Sequence, residues 1–154
     1  MKTLQDSSGF HGKMKIETFK GGVKLRETDW MENKIVSSDT HGRNLIIRKL
    51  ANNNVYGIAI DSAEIGTGST APADSDTALQ TPVVTGVDIA NAVITAHNVL
   101  TLSIFMSDTT LADGTYAEFA LRIGTKLFSR ILISPTYSKS TGEDSIFTYV
   151  ITLT

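Results

Sequence analysis

Apolar and polar side chains alternate with a two-residue period along most of this chain. Met14 and Ile16 alternate with Lys13, Lys15 and Glu17, the pattern of a half-buried strand. Gly21-Gly22 is a turn signal, and Val23 and Leu25 resume the alternation, so a β-hairpin is expected there. The run Val55-Tyr56-Gly57-Ile58-Ala59-Ile60 is apolar on both faces and reads as an interior strand. Val83 to Ile89 predicts another strand, with Val83, Val87 and Ile89 on one face. Ala92–Thr95 and Val99–Met106 flank His97-Asn98, a plausible turn, and Leu100, Leu102, Ile104 and Met106 share one side. Tyr116–Ile123, Leu127–Ile133 and Ile146–Leu153 are the last expected strands. In the final one Phe147, Tyr149, Ile151 and Leu153 alternate with Thr148, Val150 and Thr152.

One stretch departs from this period. Ser38-Asp39 offers a helix N-cap, because either side chain can accept from the free amides of a first turn. Ile46 and Leu50 then share a face at i, i+4, with Arg43, Arg48 and Lys49 outward, and Asn52-Asn53-Asn54 ends the run. A short helix at about 40–51 is expected, its bounds good to about two to four residues. About eight strands at short spacing, with turn signals between them, favour a mainly β, antiparallel sandwich or jelly roll. A parallel sheet would need a helix in each crossover. The expected organisation is a flexible N-terminal arm over 1–12, which a partner could order, and a single β-sandwich domain over 13–154.

Between the two halves lies Ile65 to Leu79, with no hydrophobic period. It holds two glycines, one proline and many Ser, Thr and Asp side chains, the composition of an ordered surface loop. Gly66 and Gly68 are expected there at positive φ. Gly66, Thr67, Gly68, Pro72, Asp76 and Leu79 are the candidate structural residues, with Leu79 docking the loop's end into the core and the loop lying at a subunit contact.

Composition narrows the function classes. Net charge is −2 and the basic residues are scattered, so no nucleic-acid footprint is indicated. No cysteine is present, which removes disulfides, thiolate metal sites and cysteine nucleophiles. No apolar run approaches the roughly 20 residues that span a bilayer. The first twelve residues lack the apolar segment of a secretory signal, so use without that export route is expected.

Candidate chemistry changes little. His11, His41 and His97 stand apart, without metal-ligand spacing. Asp61, Glu64, Asp74 and Asp76 form one carboxylate cluster, but the EF-hand calcium pattern is missing. The Gly-x-Gly at Gly66 and Gly68 lacks the third glycine and the lysine of a phosphate cradle, and no Gly-x-Ser-x-Gly elbow exists. No catalytic residue, cofactor or metal is therefore expected.

The run Ile65-Gly66-Thr67-Gly68-Ser69-Thr70-Ala71-Pro72, followed by Asp74-Ser75-Asp76-Thr77-Ala78-Leu79, resembles a family of small structural proteins of tailed bacteriophages: tail, tail-fibre and virion proteins. Upstream, Asn33-Lys34-Ile35-Val36 and Gly42-Arg43-Asn44-Leu45-Ile46 are similar to the family's approach to its helix. Downstream, Glu118 and Leu121, then Leu127-Phe128-Ser129-Arg130, Ser134-Pro135, Lys139 and Tyr149-Val150-Ile151-Thr152-Leu153 resemble its last strands. The likeness covers about residues 13–154 in preserved order. Two departures stand out. Asp61-Ser62-Ala63-Glu64 extends the segment before the loop, and Ala120-Leu121-Arg122 replaces Gly-Leu-Phe, so a buried aromatic is either missing or supplied by Phe119. The resemblance implies a non-enzymatic virion component, assembled in the host cytoplasm as a building block of a tail, neck or head appendage or fibre. Its implied partners are other phage virion proteins and further copies of itself, with a trimer favoured. The alternative is a carbohydrate- or receptor-binding module of an appendage. A host glycan would then stack on Trp30, Tyr56, Tyr116 or Tyr137. No nucleic acid or membrane is implied.

Overall fold

The computed structural model describes residues 9–154. They form a mainly β fold of two antiparallel sheets packed face to face, with one short helix. The strands are β1 (Phe10–Lys20), β2 (Val23–Glu27), β3 (Met31–Glu32), β4 (Lys34–Ile35), β5 (Ser62–Gly66), β6 (Pro82–Asp88), β7 (Asn91–Ala96), β8 (Val99–Met106), β9 (Gly114–Ile123), β10 (Lys126–Lys139) and β11 (Glu143–Leu153). The larger sheet runs β2-β1-β11-β8-β7, with β3 also paired to β1. The smaller runs β4-β10-β9-β5-β6. The sandwich expectation holds. The strands exceed the expected number because two of them, β3 and β4, span two residues and carry no readable period.

Register explains the core. In the larger sheet Met14 pairs with Tyr149, which pairs with Leu102, and Ile16, Phe147 and Ile104 form the next row. In the smaller sheet Ile65, Phe119 and Ile131 line up across three strands. Phe119 stacks on Phe147 with ring centroids 4.9 Å apart, so the two inner faces meet at these rings. Phe119 thus supplies a buried aromatic beside Ala120-Leu121-Arg122.

The expected β-hairpin forms, and Gly21 and Gly22 both take the positive φ that its two-residue turn requires. The first twelve residues divide. Phe10, His11 and Gly12 belong to β1 and pair with β11, while the rest of the expected arm lies outside the described residues apart from Gly9.

Four local expectations are corrected. Val55–Ile60 is not a strand. It is irregular and largely exposed, and the neighbouring strand is β5, which begins at Ser62, two residues after the run ends. Helix α1 spans Asn44–Leu50, begins after Arg43 and has no side-chain N-cap: Ser38 and Asp39 lie upstream of the cap position, and Asp39 pairs with Arg48. Its inward residue is Leu45, 1% exposed, whereas Leu50 is 79% exposed and shares no buried face with Ile46. Val84, not Val83, shares the inward face with Val87 and Ile89. A bulge places Thr85 and Gly86 opposite Glu64, and Gly86 takes φ 67°, which shifts the alternation by one. Finally, Leu153 lies on the exposed end of β11.

Candidate functional site

Strand β9 is buried on both faces from Tyr116 to Leu121, which a two-layer sandwich does not explain. Its inner face meets the larger sheet. Its outer face is covered by the segment from Thr67 to Thr81, which forms a third layer. A small second core of Val36, Leu79, Ala120 and Leu127 lies beneath this cover. Leu79 docks there as expected and is buried.

A buried carboxylate fixes the cover. Glu118 is 0% exposed and sits on β9 directly opposite Gly66 of β5. Its Oε1 accepts from the amides of Gly68 (3.1 Å) and Thr81 (2.6 Å), and its Oε2 accepts from the amide of Gln80 (2.9 Å). Arg130 of β10, 3% exposed, donates to the same Oε2 through Nε (3.1 Å) and lies 2.9 Å from it through Nη2. Burying two charges carries a desolvation cost that only dense hydrogen bonding offsets, and here both ends of the loop supply it.

Arg130 reaches further into the loop. Nη1 donates to Asp76 (2.9 Å), and Nη2 donates to the carbonyl of Thr70 (2.9 Å). Asp76 in turn accepts from the amide of Ala73 (2.9 Å), closing the turn after Pro72. The side-chain carbonyl of Gln80 accepts from the amides of Ser69 (3.0 Å) and Thr70 (3.1 Å). Thr67 donates its amide to the carbonyl of Thr81 (3.0 Å), joining the loop's two ends. Outside, Asp74 faces Lys34 (3.5 Å) and Arg43 (3.4 Å). The loop is therefore ordered by its own residues together with two buried charges.

The glycines have a different reason from the expected one. Neither Gly66 nor Gly68 has positive φ. Gly66 is the last residue of β5, so the first two residues of the expected loop belong to a strand. A Cβ on Gly66 would lie 2.3 Å from the carbonyl oxygen of Thr81 and 2.7 Å from Glu118 Oε1. One on Gly68 would lie 2.6 Å from that same carboxylate oxygen. These glycines make room for the carboxylate to reach the backbone.

Glu118, Arg130 and Gln80 are the residues that sequence reasoning missed as a unit. Their signal was an acid and a base inside apolar strands, each at a position where alternation alone would place a solvated side chain. The expected carboxylate cluster is dispersed. Asp61 accepts from the amide of Gly124, Glu64 faces Arg122 at 2.9 Å, Asp74 meets surface cations and Asp76 meets Arg130. His11 lies against Thr154, His97 is in the β7–β8 turn, and burial together with Lys126 and Arg122 lowers the His41 pKa. Among the aromatics, Tyr116 and Tyr137 are core residues, while Trp30 is exposed beside Lys13 and Lys15.

Comparison with family models, with curated proteins and with solved structures found no match.

Proposed function

We propose that the chain is a non-enzymatic structural component of a tailed-bacteriophage virion, a building block of a tail, neck or head appendage or fibre. One observation carries this reading. Six of the residues that carry the chain's resemblance to phage structural proteins belong to the buried clamp: Gly66, Gly68, Thr70 and Asp76 on the loop, Glu118 and Arg130 beneath it. Their side chains are engaged with one another and with backbone, so the motif serves architecture rather than ligand turnover. A stiff third layer with hydroxyls outside suits a protein that repeats one surface in many copies.

The test is direct. The coding gene should lie beside tail, neck or capsid genes, and antibodies to the protein should decorate an appendage of purified virions in electron micrographs. A gene among metabolic genes, with unlabelled virions, would overturn the reading. Three-fold assembly is implied by the resemblance and is measured by light scattering with and without the first twelve residues.

A second reading, glycan binding at an appendage tip, is favoured by a separate feature. Trp30 and Asp29 line an open cleft of about 580 Å³ together with Arg26, Thr136 and Tyr137. An exposed indole beside charged and hydroxyl groups is the composition of a sugar platform. Binding on a glycan array that Trp30→Ala abolishes would establish it, and an array with no response would remove it.

A further inference from the structure

We propose that the free edge of β7 is where a second copy of this chain joins, by antiparallel β7–β7 pairing about a two-fold axis. The two described sheets have four edges, and three carry features that discourage strand addition. The edge formed by β2 and the two-residue β3 presents Lys24, Arg26, Glu27 and Glu32. β4 is two residues long and begins with Lys34. β6 opens on Pro82, is bulged and ends on Asp88. β7 differs: Asn91–Ala96 contains no charge and no proline, and every residue of it is exposed. A bulge at Thr95 lies beside the turn and leaves Asn91–Ile94 as the regular edge. Among the described residues the side of this edge away from β8 has no partner strand, and a row of backbone donors and acceptors is matched best by another extended chain.

Charge identifies the occupant. From Ile89 to Ser107 there is no Asp, Glu, Lys or Arg, in a chain where these make up 19% of residues. A two-fold contact sets this edge against a second copy of the same edge, so an edge carrying charges of one sign repels itself and a neutral edge does not. Apolar surface lies on the same edge. Ile94 is 75% exposed, and it also borders a groove of about 410 Å³ lined by Ile58, Leu100 and Leu153 at the open end of the sandwich. Pairing at β7 brings this rim into the contact along with the backbone edge. A two-fold contact gives an even number of copies, so it coexists with a three-fold axis only in a dihedral or cubic assembly.

The experiment uses Ile94→Lys and Ile94→Glu in the purified chain. The exposed position leaves the fold intact, which an unchanged melting temperature verifies. Light scattering should show wild-type pairs or an even-numbered assembly. Each variant alone should show loss of that association by at least tenfold in concentration dependence, and an equimolar mixture should restore it. Because the chain has no cysteine, Val93→Cys should form a disulfide-linked dimer on mild oxidation, while Val23→Cys on the β2 edge should not. A wild-type monomer at every concentration, a plain trimer, or Ile94→Lys associating like wild type would each overturn the proposal. So would capture of another protein's strand at β7 by a chain that does not self-associate. An appendage protein has other surfaces to assemble through, so these outcomes leave the virion reading standing.

Discussion

Replacing Glu118 by glutamine keeps the size of the side chain and removes its charge. Arg130 would stay buried with only Asp76 as a counter-ion, and the new NH2 would turn a donor either toward the amides of Gly68 and Thr81 or toward the Gln80 amide and Arg130. Breaking a buried pair from one side costs about 3–5 kcal/mol, so Glu118→Gln should lower stability by that order in urea unfolding. Gly66→Ala should cost about 1–3 kcal/mol, because the added methyl overpacks against the Thr81 carbonyl. A wild-type midpoint for both variants would show that the loop is not held as described. The glycines were legible in the sequence as special positions, but not for the right reason. Composition shows that glycine is needed, whereas close approach depends on a carboxylate 50 positions away.

At the scale of elements, alternation located β1, β8, β9, β10 and β11 because each has a face on the main core, whereas β2 is exposed throughout and was placed by its alternation and the Gly21-Gly22 turn. Alternation failed where a bulge shifts the period, as at Gly86, and where apolar residues are not buried at all. Val55–Ile60 has the composition of a strand but no neighbour, since Glu64 and Ile65 already occupy the place beside β9. The third layer was invisible to periodicity, which reports two faces of a strand and not what covers the outer one. Helix α1 shows the same limit. Seven residues form less than two full turns, so propensity contributes little and the single buried contact decides its position. Leu45→Ala should therefore cost about 2–5 kcal/mol in thermal or urea unfolding, while Leu50→Ala should stay within about 0.5 kcal/mol of wild type. Equal losses at both positions would contradict the observed packing.

For the whole molecule, ion pairs tie segments that are distant in sequence, and their protonation sets the acid limit. Glu143 hydrogen-bonds to Arg26, and this contact outweighs burial and draws its pKa from 4.5 down to about 2. Asp108 is lowered by its hydrogen bonds from Lys139 and the Gly142 amide, and Asp113 by those from Thr141 and Lys139. A carboxyl with a depressed folded pKa contributes stability above its unfolded pKa and loses it as pH falls through the folded one. The melting temperature should therefore fall as pH drops from about 4.5 toward about 2. Glu143→Gln should be less stable at neutral pH and less sensitive in that window. Parallel curves for wild type and variant would remove Glu143 from the account.

The seating of the loop on β9 and β10 also bears on the order of folding. Glu118 and Arg130 are 12 positions apart on adjoining strands, so their platform can form from a local hairpin. The cover must wait for it, since Gly68 meets Glu118 across 50 positions. Closing the longer loop costs more chain entropy and gains contacts only once the platform exists. Contacts that form after the rate-limiting barrier slow unfolding without speeding folding. Asp76→Ala and Leu79→Ala should then steepen the loss of native protein in denaturant jumps while leaving refolding rates near wild type. Phe119→Leu, at the junction of the two sheets, should slow refolding instead. The third layer would act as a late-closing latch on a sandwich already formed, and slow opening of that latch would set how long the folded chain persists.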